Sequence, residues 1–313
     1  MGPSVVPIPT FTNISADYFR KHIYPQRFPA LLRNIDIGEC SNKWTADYLT
    51  EKIGDSNVKV HVSINPKMNF TEKNFVYKTL LFGELLKRAQ KVKQDLFFLS
   101  PSEFYYLRSL GADPRGRDVA DIKKQFPSIA EDINIPDFFQ KEDFFSSVFR
   151  IGSPGVQLWT HYDVMDNILI QVRGRKRMVL YSPDEALNMY LTGDKSQVLD
   201  IDDPDVERFP KFLSAQRHEC VMNSGDIIFI PALWFHNTLA LEFGIAVNIF
   251  WRHLNYELYD KNDPYGNKDL IPASRALQMA GNSVKALSTL PEEYKDFYIR
   301  RIISMLESNI KNK

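Results

Sequence analysis

The stretch Trp159–Pro183, WTHYDVMDNILIQVRGRKRMVLYSP, decides how the chain is read. His161 and Asp163 stand two residues apart in it. Alternate side chains of an extended strand point the same way, so an imidazole and a carboxylate share one face. They are two thirds of a 2-His-1-carboxylate triad, the ligand set of non-haem Fe(II). The candidate for the third ligand is His236, in GDIIFIPALWFHN (225–237). It is expected on a loop after a strand Ile227–Ile230, where Pro231 ends the ladder. A lone H-x-D is weak, because chance supplies it in many proteins and a histidine beside Trp and Phe is more often an ordinary packed residue.

The residues after the motif strengthen it. A strand Ile168–Val172 turns at Arg173-Gly174 into a strand Arg177–Tyr181. Parity groups Lys176 with Met178 and Leu180, and Arg175 and Arg177 with Val179 and Tyr181. A lysine on the aliphatic face points into a barrel, where an ammonium is costly unless paired. A bound dicarboxylate would pair it. The competing reading makes Lys176 one of four solvated cations with Arg173, Arg175 and Arg177.

Working outward, further short strands are predicted at Gln157–Asp163, Glu219–Val221, Ile227–Ile230, Thr238–Leu241 and Ile245–Trp251, with Phe144–Ile151 leading in. Turn residues punctuate them, as in Ser224-Gly225-Asp226. The pattern predicts an antiparallel barrel or jelly roll, mainly β with flanking helices and a barrel core at about 144–251. Upstream, Ser15 caps a short helix over Ala16–Ile23, and Thr45 and Gly54 bound another. Ala30–Arg33, Val58–Val62 and Leu96–Leu99 read as strands, and Leu80–Lys93 as an amphipathic helix. From Pro272 two helices are expected, the second opening at Pro291. This divides the chain into 1–271 and a C-terminal helical pair, 272–313.

The 313 residues are 44% apolar and 13% aromatic, enough for a large packed core. Formal net charge is zero, so a nucleic-acid partner would need a local basic patch. The two cysteines, Cys40 and Cys220, make no zinc spacing and no disulfide framework. With no apolar run of membrane-span length and no secretory leader pattern, an intracellular, cytoplasmic location is expected. His61, His218 and His253 have no partner spacing. Trp159, Trp234 and Trp251 read as core aromatics rather than substrate stackers.

The H-Y-D motif, Asn167 six residues after His161, the G-x-K-R run and the distal P-x-x-W-x-H resemble JmjC-type 2-oxoglutarate- and Fe(II)-dependent oxygenases. The segments YPQRFPALL, NFVYKTL, YYLRSLG, DVADIKKQFP and FFSSVFRI add a likeness to the branch that hydroxylates wybutosine in tRNA. The resemblance implies a cupin-type double-stranded β-helix. It implies that His161, Asp163 and His236 hold Fe(II), with 2-oxoglutarate and O2 as cosubstrates. Lys176 then matches the lysine on the distal carboxylate of 2-oxoglutarate, and Tyr106, Asn167 and Asn248 match its polar pocket. A threonine three residues before the first histidine in the related asparaginyl hydroxylase is Leu158 here, and Tyr106 is expected to take its place.

The same resemblance implies tRNA(Phe) as partner, hydroxylated on the side chain of the modified guanosine beside the anticodon to give hydroxywybutosine. A polynucleotide needs cations near the pocket mouth. The candidates are Arg108, Arg115, Arg117, Lys123, Lys124, Arg150, Arg173, Arg175 and Arg177. Two rivals remain at this stage: a protein hydroxylase acting on Asn, Arg or Lys, and a cupin-like binding module without activity. The apolar stripe of the C-terminal helices either caps the barrel or pairs across a two-fold axis, and a homodimer through these helices is expected.

Overall fold

A computed structural model describes residues 5–111 and 118–310. Two sheets face each other. The larger has nine strands in the order Thr10–Thr12, Ala30–Arg33, Ile227–Ile230, Asp166–Arg173, Gly244–Trp251, Phe144–Gly152, Phe104–Arg108, Asn57–Ser63 and Val76–Leu81. The smaller orders Val5–Pro7, Arg217–Met222, Lys176–Tyr181 and Phe235–Ala240. Pairings within the central strands are antiparallel; only the two N-terminal strands join in parallel. This is a jelly-roll barrel with flanking helices.

The large sheet is covered on both faces, which is why its central strands read as near-continuous apolar runs. In Asp166–Arg173, Ile168, Ile170 and Val172 pack outward. They meet the helices Ala46–Ile53 and Phe82–Ala89 through Leu49, Ile53, Leu85 and Leu86. Leu169 faces the other way, into the barrel, with Met178, Leu180, Ile228 and Ala246. Parity on Lys176–Tyr181 runs as the sequence predicts: Met178 and Leu180 line the interior. Val179 and Tyr181 point outward, yet they are buried under a lobe carrying Met189, Val198, Phe209 and Phe212. Gly174 makes the turn between the two strands at φ +76°, and a Cβ there would collide with the Phe243 backbone.

Thr45 and Ser15 cap their helices as expected, accepting from the Tyr48 and Tyr18 amides at 3.2 and 3.1 Å. Four expectations need correction. Leu96–Leu99 is not a strand but a series of bends, with Leu96 76% exposed; the Glu103 carboxylate takes the Phe98, Leu99 and Ser100 amides. Leu80–Lys93 yields a helix only over Phe82–Ala89, because Leu80 and Leu81 extend the edge strand Val76–Leu81. Gln157–Asp163 is extended but forms no continuous ladder: it has isolated bridges at Gln157 and His161 and scattered backbone bonds to several different neighbours. His236 is not on a loop: the last barrel strand but one starts at Phe235 and carries it.

The helices Ile271–Leu287 and Glu292–Glu307 pack on each other and bury no residue. Leu277, Met279 and Phe297 are 61%, 64% and 58% exposed, so the pair does not cap the barrel. Among the described residues, no helix is long and apolar enough to cross a membrane.

Candidate metal centre and substrate vestibule

His161 and His236 meet where the irregular 157–163 segment bridges the strand Phe235–Ala240, four residues beyond a second bridge from Gln157 to Leu239. The His161 amide donates to the His236 carbonyl at 3.2 Å, and the His236 amide returns the bond at 2.8 Å. Their rings lie 4.3 Å apart. Each ring is aimed by its own backbone: His161 Nδ1 lies 2.9 Å from the Trp159 carbonyl and His236 Nδ1 3.1 Å from the Trp234 carbonyl. A carbonyl only accepts, so both Nδ1 atoms carry the proton and both Nε2 lone pairs are free for a metal. His236 Nε2 stands 3.6 Å from Asp163 Oδ2. One donor atom from each of His161, Asp163 and His236 falls within 4.8 Å of the others.

Burial drives all three toward their neutral forms. It pushes both histidines down to about 4 and raises the Asp163 carboxyl. Neutral imidazoles are ready ligands, and a divalent cation would restore the carboxylate charge. Two neutral nitrogens and one carboxylate, with no further acidic donor in the group among the described residues, make a set suited to Fe(II). The group could bind a metal.

The arm that delivers His236 is anchored by Asp166, a fully buried carboxylate. It accepts from the Tyr24 hydroxyl, from Arg27 Nη1 and from the Ala232 amide, each at 2.8 Å. The Leu233 amide donates to the Asp163 carbonyl at 2.8 Å, and Trp234 Nε1 to the Arg27 carbonyl at 3.0 Å. Sequence reading missed this clamp because its parts are some 140 and 66 residues apart.

Behind the triad an inner pocket is lined by Tyr106, Leu158, Leu169, Lys176, Met178 and Asn248, among others. Lys176 has no ion-pair partner among the described residues. Burial and the nearby Arg150 hold its ammonium down to about 7. Asn248 Nδ2 donates to Asn167 Oδ1 at 3.0 Å, while Asn167 Nδ2 is buried with no partner. Arg150 donates to Asn248 Oδ1 and to the Tyr106 hydroxyl. Tyr106, Asn167, Lys176 and Asn248 are thus brought together, and Leu158 lines the same space. An unpaired cation and an orphan amide donor fit a dicarboxylate such as 2-oxoglutarate.

In front of the triad lies a vestibule of about 260 Å3. Phe70, Tyr77, Trp159 and Tyr265 form its aromatic walls, with His61 and Arg108. Trp159 is therefore a wall residue, unlike the buried Trp234 and Trp251. His61 also belongs here, held neutral by burial, with Nδ1 3.2 Å from the Tyr106 carbonyl.

A family model described as a cupin-like domain matches residues 15–257. The chain is 58% identical over 301 residues to tRNA wybutosine-synthesizing protein 5 of Danio rerio, covering 96% of this chain and 92% of that one. It is 55% identical to tRNA wybutosine-synthesizing protein 5 of Homo sapiens over 313 residues, 100% and 99% of the two chains. The chain belongs to the cupin-like tRNA wybutosine-synthesizing protein 5 family. A more distant relative, tRNA wybutosine-synthesizing protein 4 of Gibberella zeae, is 33% identical over 96% of this chain but only 29% of its own length. The matched region thus takes in both sheets except the strands Val5–Pro7 and Thr10–Thr12, the group His161, Asp163 and His236, and the vestibule walls except Tyr265.

The basic residues named from sequence scatter. Arg115 and Arg117 lie outside the described residues. Lys123 and Lys124 are exposed on the short helix Ile122–Gln125, with Asp121 3.7 Å from Lys124. Arg175 is exposed near Glu242 at 3.7 Å. Arg173 instead donates to the Asn42 and Trp44 carbonyls, and Arg177 is engaged by Glu219 and Asp202. Arg150 is inside the barrel and Arg108 in the vestibule, so neither belongs to an outer patch.

Proposed function

We propose that the chain is an Fe(II)- and 2-oxoglutarate-dependent dioxygenase. In this reading it hydroxylates the wybutosine-type side chain of the modified guanosine beside the anticodon of tRNA(Phe), giving hydroxywybutosine. The observation that carries the reading is the triad His161, Asp163 and His236, set between a pocket holding an unpaired lysine and an aromatic vestibule. The wybutosine pathway in the relatives' names supports the substrate.

His161, Asp163 and His236 would hold the iron, and Lys176 would pair with the distal carboxylate of 2-oxoglutarate. Bound iron with this cosubstrate supplies O2 activation, coupled to conversion of 2-oxoglutarate into succinate and CO2 and to oxygen insertion into a C–H bond. The chain's own residues position and exclude. The Trp159 and Trp234 carbonyls fix both imidazoles. Asn248 and Tyr106, tied together through Arg150, give the cosubstrate a rigid polar wall. Leu158, Met178 and Leu169 keep the inner pocket dry.

Two further proposals complete the reading. The exposed apolar residues of the C-terminal helices support a homodimer through that pair. Lys123, Lys124, Arg115, Arg117 and Arg175 are the cations left for tRNA phosphates, and reversing Lys123 and Lys124 together is expected to weaken tRNA binding and flatten its salt dependence by about two phosphate contacts. The test of function is nucleoside mass spectrometry after incubation with unhydroxylated tRNA(Phe), Fe(II) and 2-oxoglutarate. A gain of one oxygen on the modified guanosine supports the proposal. A gain on peptides and none on tRNA would establish the protein-hydroxylase alternative instead.

A further inference from the structure

The strand Phe104–Arg108 presents Tyr106 and Arg108 on one face, two residues apart. Tyr106 reaches the inner pocket, and Arg108 lines the vestibule. Across the strand pair, Arg108 stands directly opposite Arg150. Like charges in register are destabilising, and burial beside Arg150 lowers the proton affinity of the Arg108 guanidinium to about 10. No carboxylate lies at ion-pair distance from either guanidinium among the described residues.

The two arginines differ in what they hold. Arg150 is occupied by Asn248 and Tyr106. Arg108 lies over the Tyr265 ring, 4.7 Å from its centroid, and among the described residues makes one long contact, 3.4 Å from Nη2 to the Tyr265 carbonyl. A guanidinium has five N–H donors in a planar fork matched to a carboxylate or phosphate. Among the described residues no other group takes these donors, and the side chain lines the vestibule. The other vestibule cations are less suited: Lys195 is paired with Asp194, and Lys59 is exposed above Tyr77. Lys176 belongs to the inner pocket.

We propose that Arg108 is the anion anchor of the vestibule, receiving a carboxylate or phosphate of the substrate while the aromatic walls take the flat ring that bears it. This rests on the hydroxylase reading above and narrows it. The substrate class is an aromatic anion, lodged with its charge toward Arg108 and its reacting carbon toward the triad. Tyr265 is a positioning residue, holding the guanidinium by its ring face and its carbonyl.

The test uses the full chain equilibrated without oxygen with Fe(II) and excess 2-oxoglutarate. Quenching of tryptophan fluorescence reports binding of 1-naphthoate, its methyl ester and 1-naphthyl phosphate to wild type, Arg108→Gln and Arg108→Lys. Wild type is expected to prefer the acid over the ester by about ten- to a hundredfold. The preference should vanish in Arg108→Gln and survive in part in Arg108→Lys. A larger preference for the phosphate identifies a phosphate as the anchored group, and a larger one for the acid a carboxylate. Equal binding of acid and ester by wild type, a preference retained in Arg108→Gln, or displacement of 2-oxoglutarate by 1-naphthoate would overturn the proposal. Should Arg108→Gln fail to fold, Tyr265→Leu must cut the preference severalfold. Hydroxylation of tRNA(Phe) is followed in parallel. A wild type that shows the preference but never hydroxylates tRNA(Phe) keeps the anchor and removes the nucleoside reading. A wild type that hydroxylates tRNA(Phe), with unchanged KM and kcat in Arg108→Gln and no acid preference, removes the anchor alone.

Discussion

Replacing Lys176 with methionine should stabilise the ligand-free protein and cripple its use of 2-oxoglutarate. The ammonium is held down to about 7 from the ordinary lysine value near 10.5, chiefly by burial. At neutral pH that difference costs the fold about 4 kcal/mol at most by proton linkage, and pocket water reduces it to about 2–3 kcal/mol. The sign is fixed by the direction: the penalty is fully present below about pH 7 and fades as pH rises toward 10.5. Methionine keeps the reach and removes the charge, so Lys176→Met should melt several degrees higher at pH 7, with the advantage gone near pH 10.5. On the proposed reading the distal carboxylate of 2-oxoglutarate would lose a charge-assisted bond worth about 1.5–3 kcal/mol, so its affinity should fall about ten- to 150-fold. Thermal melts with and without 2-oxoglutarate read both effects. A variant that melts lower and binds 2-oxoglutarate like wild type would refute the assignment of Lys176.

Asp166→Ala strips Arg27 and the Ala232 amide of their buried partner; a loss of about 3–5 kcal/mol in urea unfolding and weaker metal binding in titration are expected, and a loss below about 1 kcal/mol would show that the clamp is idle. The metal-free protein should lose stability as pH falls from 6.5 to about 4, because burial holds His61, His161, His218, His236 and His253 below their ordinary values. His61 alone, held at about 4, contributes up to about 3 kcal/mol of that loss, and a urea midpoint that stayed flat across the window would contradict it. Light scattering should give twice the chain mass for the wild type and a single chain mass for Phe297→Glu; a monomeric wild type would end the dimer proposal.

The barrel was legible because its strands alternate between two unlike interiors. Lys176, Met178 and Leu180 shared a parity that the structure bears out. The same rule, applied to FFSSVFRI, would have turned Arg150 inward with Ser146 and Val148, away from Phe149 and Ile151 in the outer core. Applied to FYYLR, it would have separated Tyr105 and Leu107, in the outer core, from Tyr106 and Arg108 on the pocket side. Both arginines were instead read as surface charge, because a cation in a sequence carries no mark of which face is wet. The Gln157–Asp163 segment misled for another reason: extended backbone with few ladder bonds has the strand pattern without the strand. The Asp166 clamp was beyond reach, since no local spacing joins Tyr24, Arg27 and Ala232.

The carbonyls that aim the two imidazoles come from Trp159 and Trp234, and this divides each tryptophan between two tasks. Its peptide oxygen aims a candidate metal ligand; its indole is free for something else. At Trp234 the indole fills the barrel and reaches the Arg27 carbonyl, while at Trp159 it walls the vestibule. Substitutions at position 159 can therefore reshape what the vestibule accepts while leaving the direction of the His161 lone pair as it is. The aim of the candidate ligand His161 and the lining of the vestibule sit two residues apart in the chain and can vary independently.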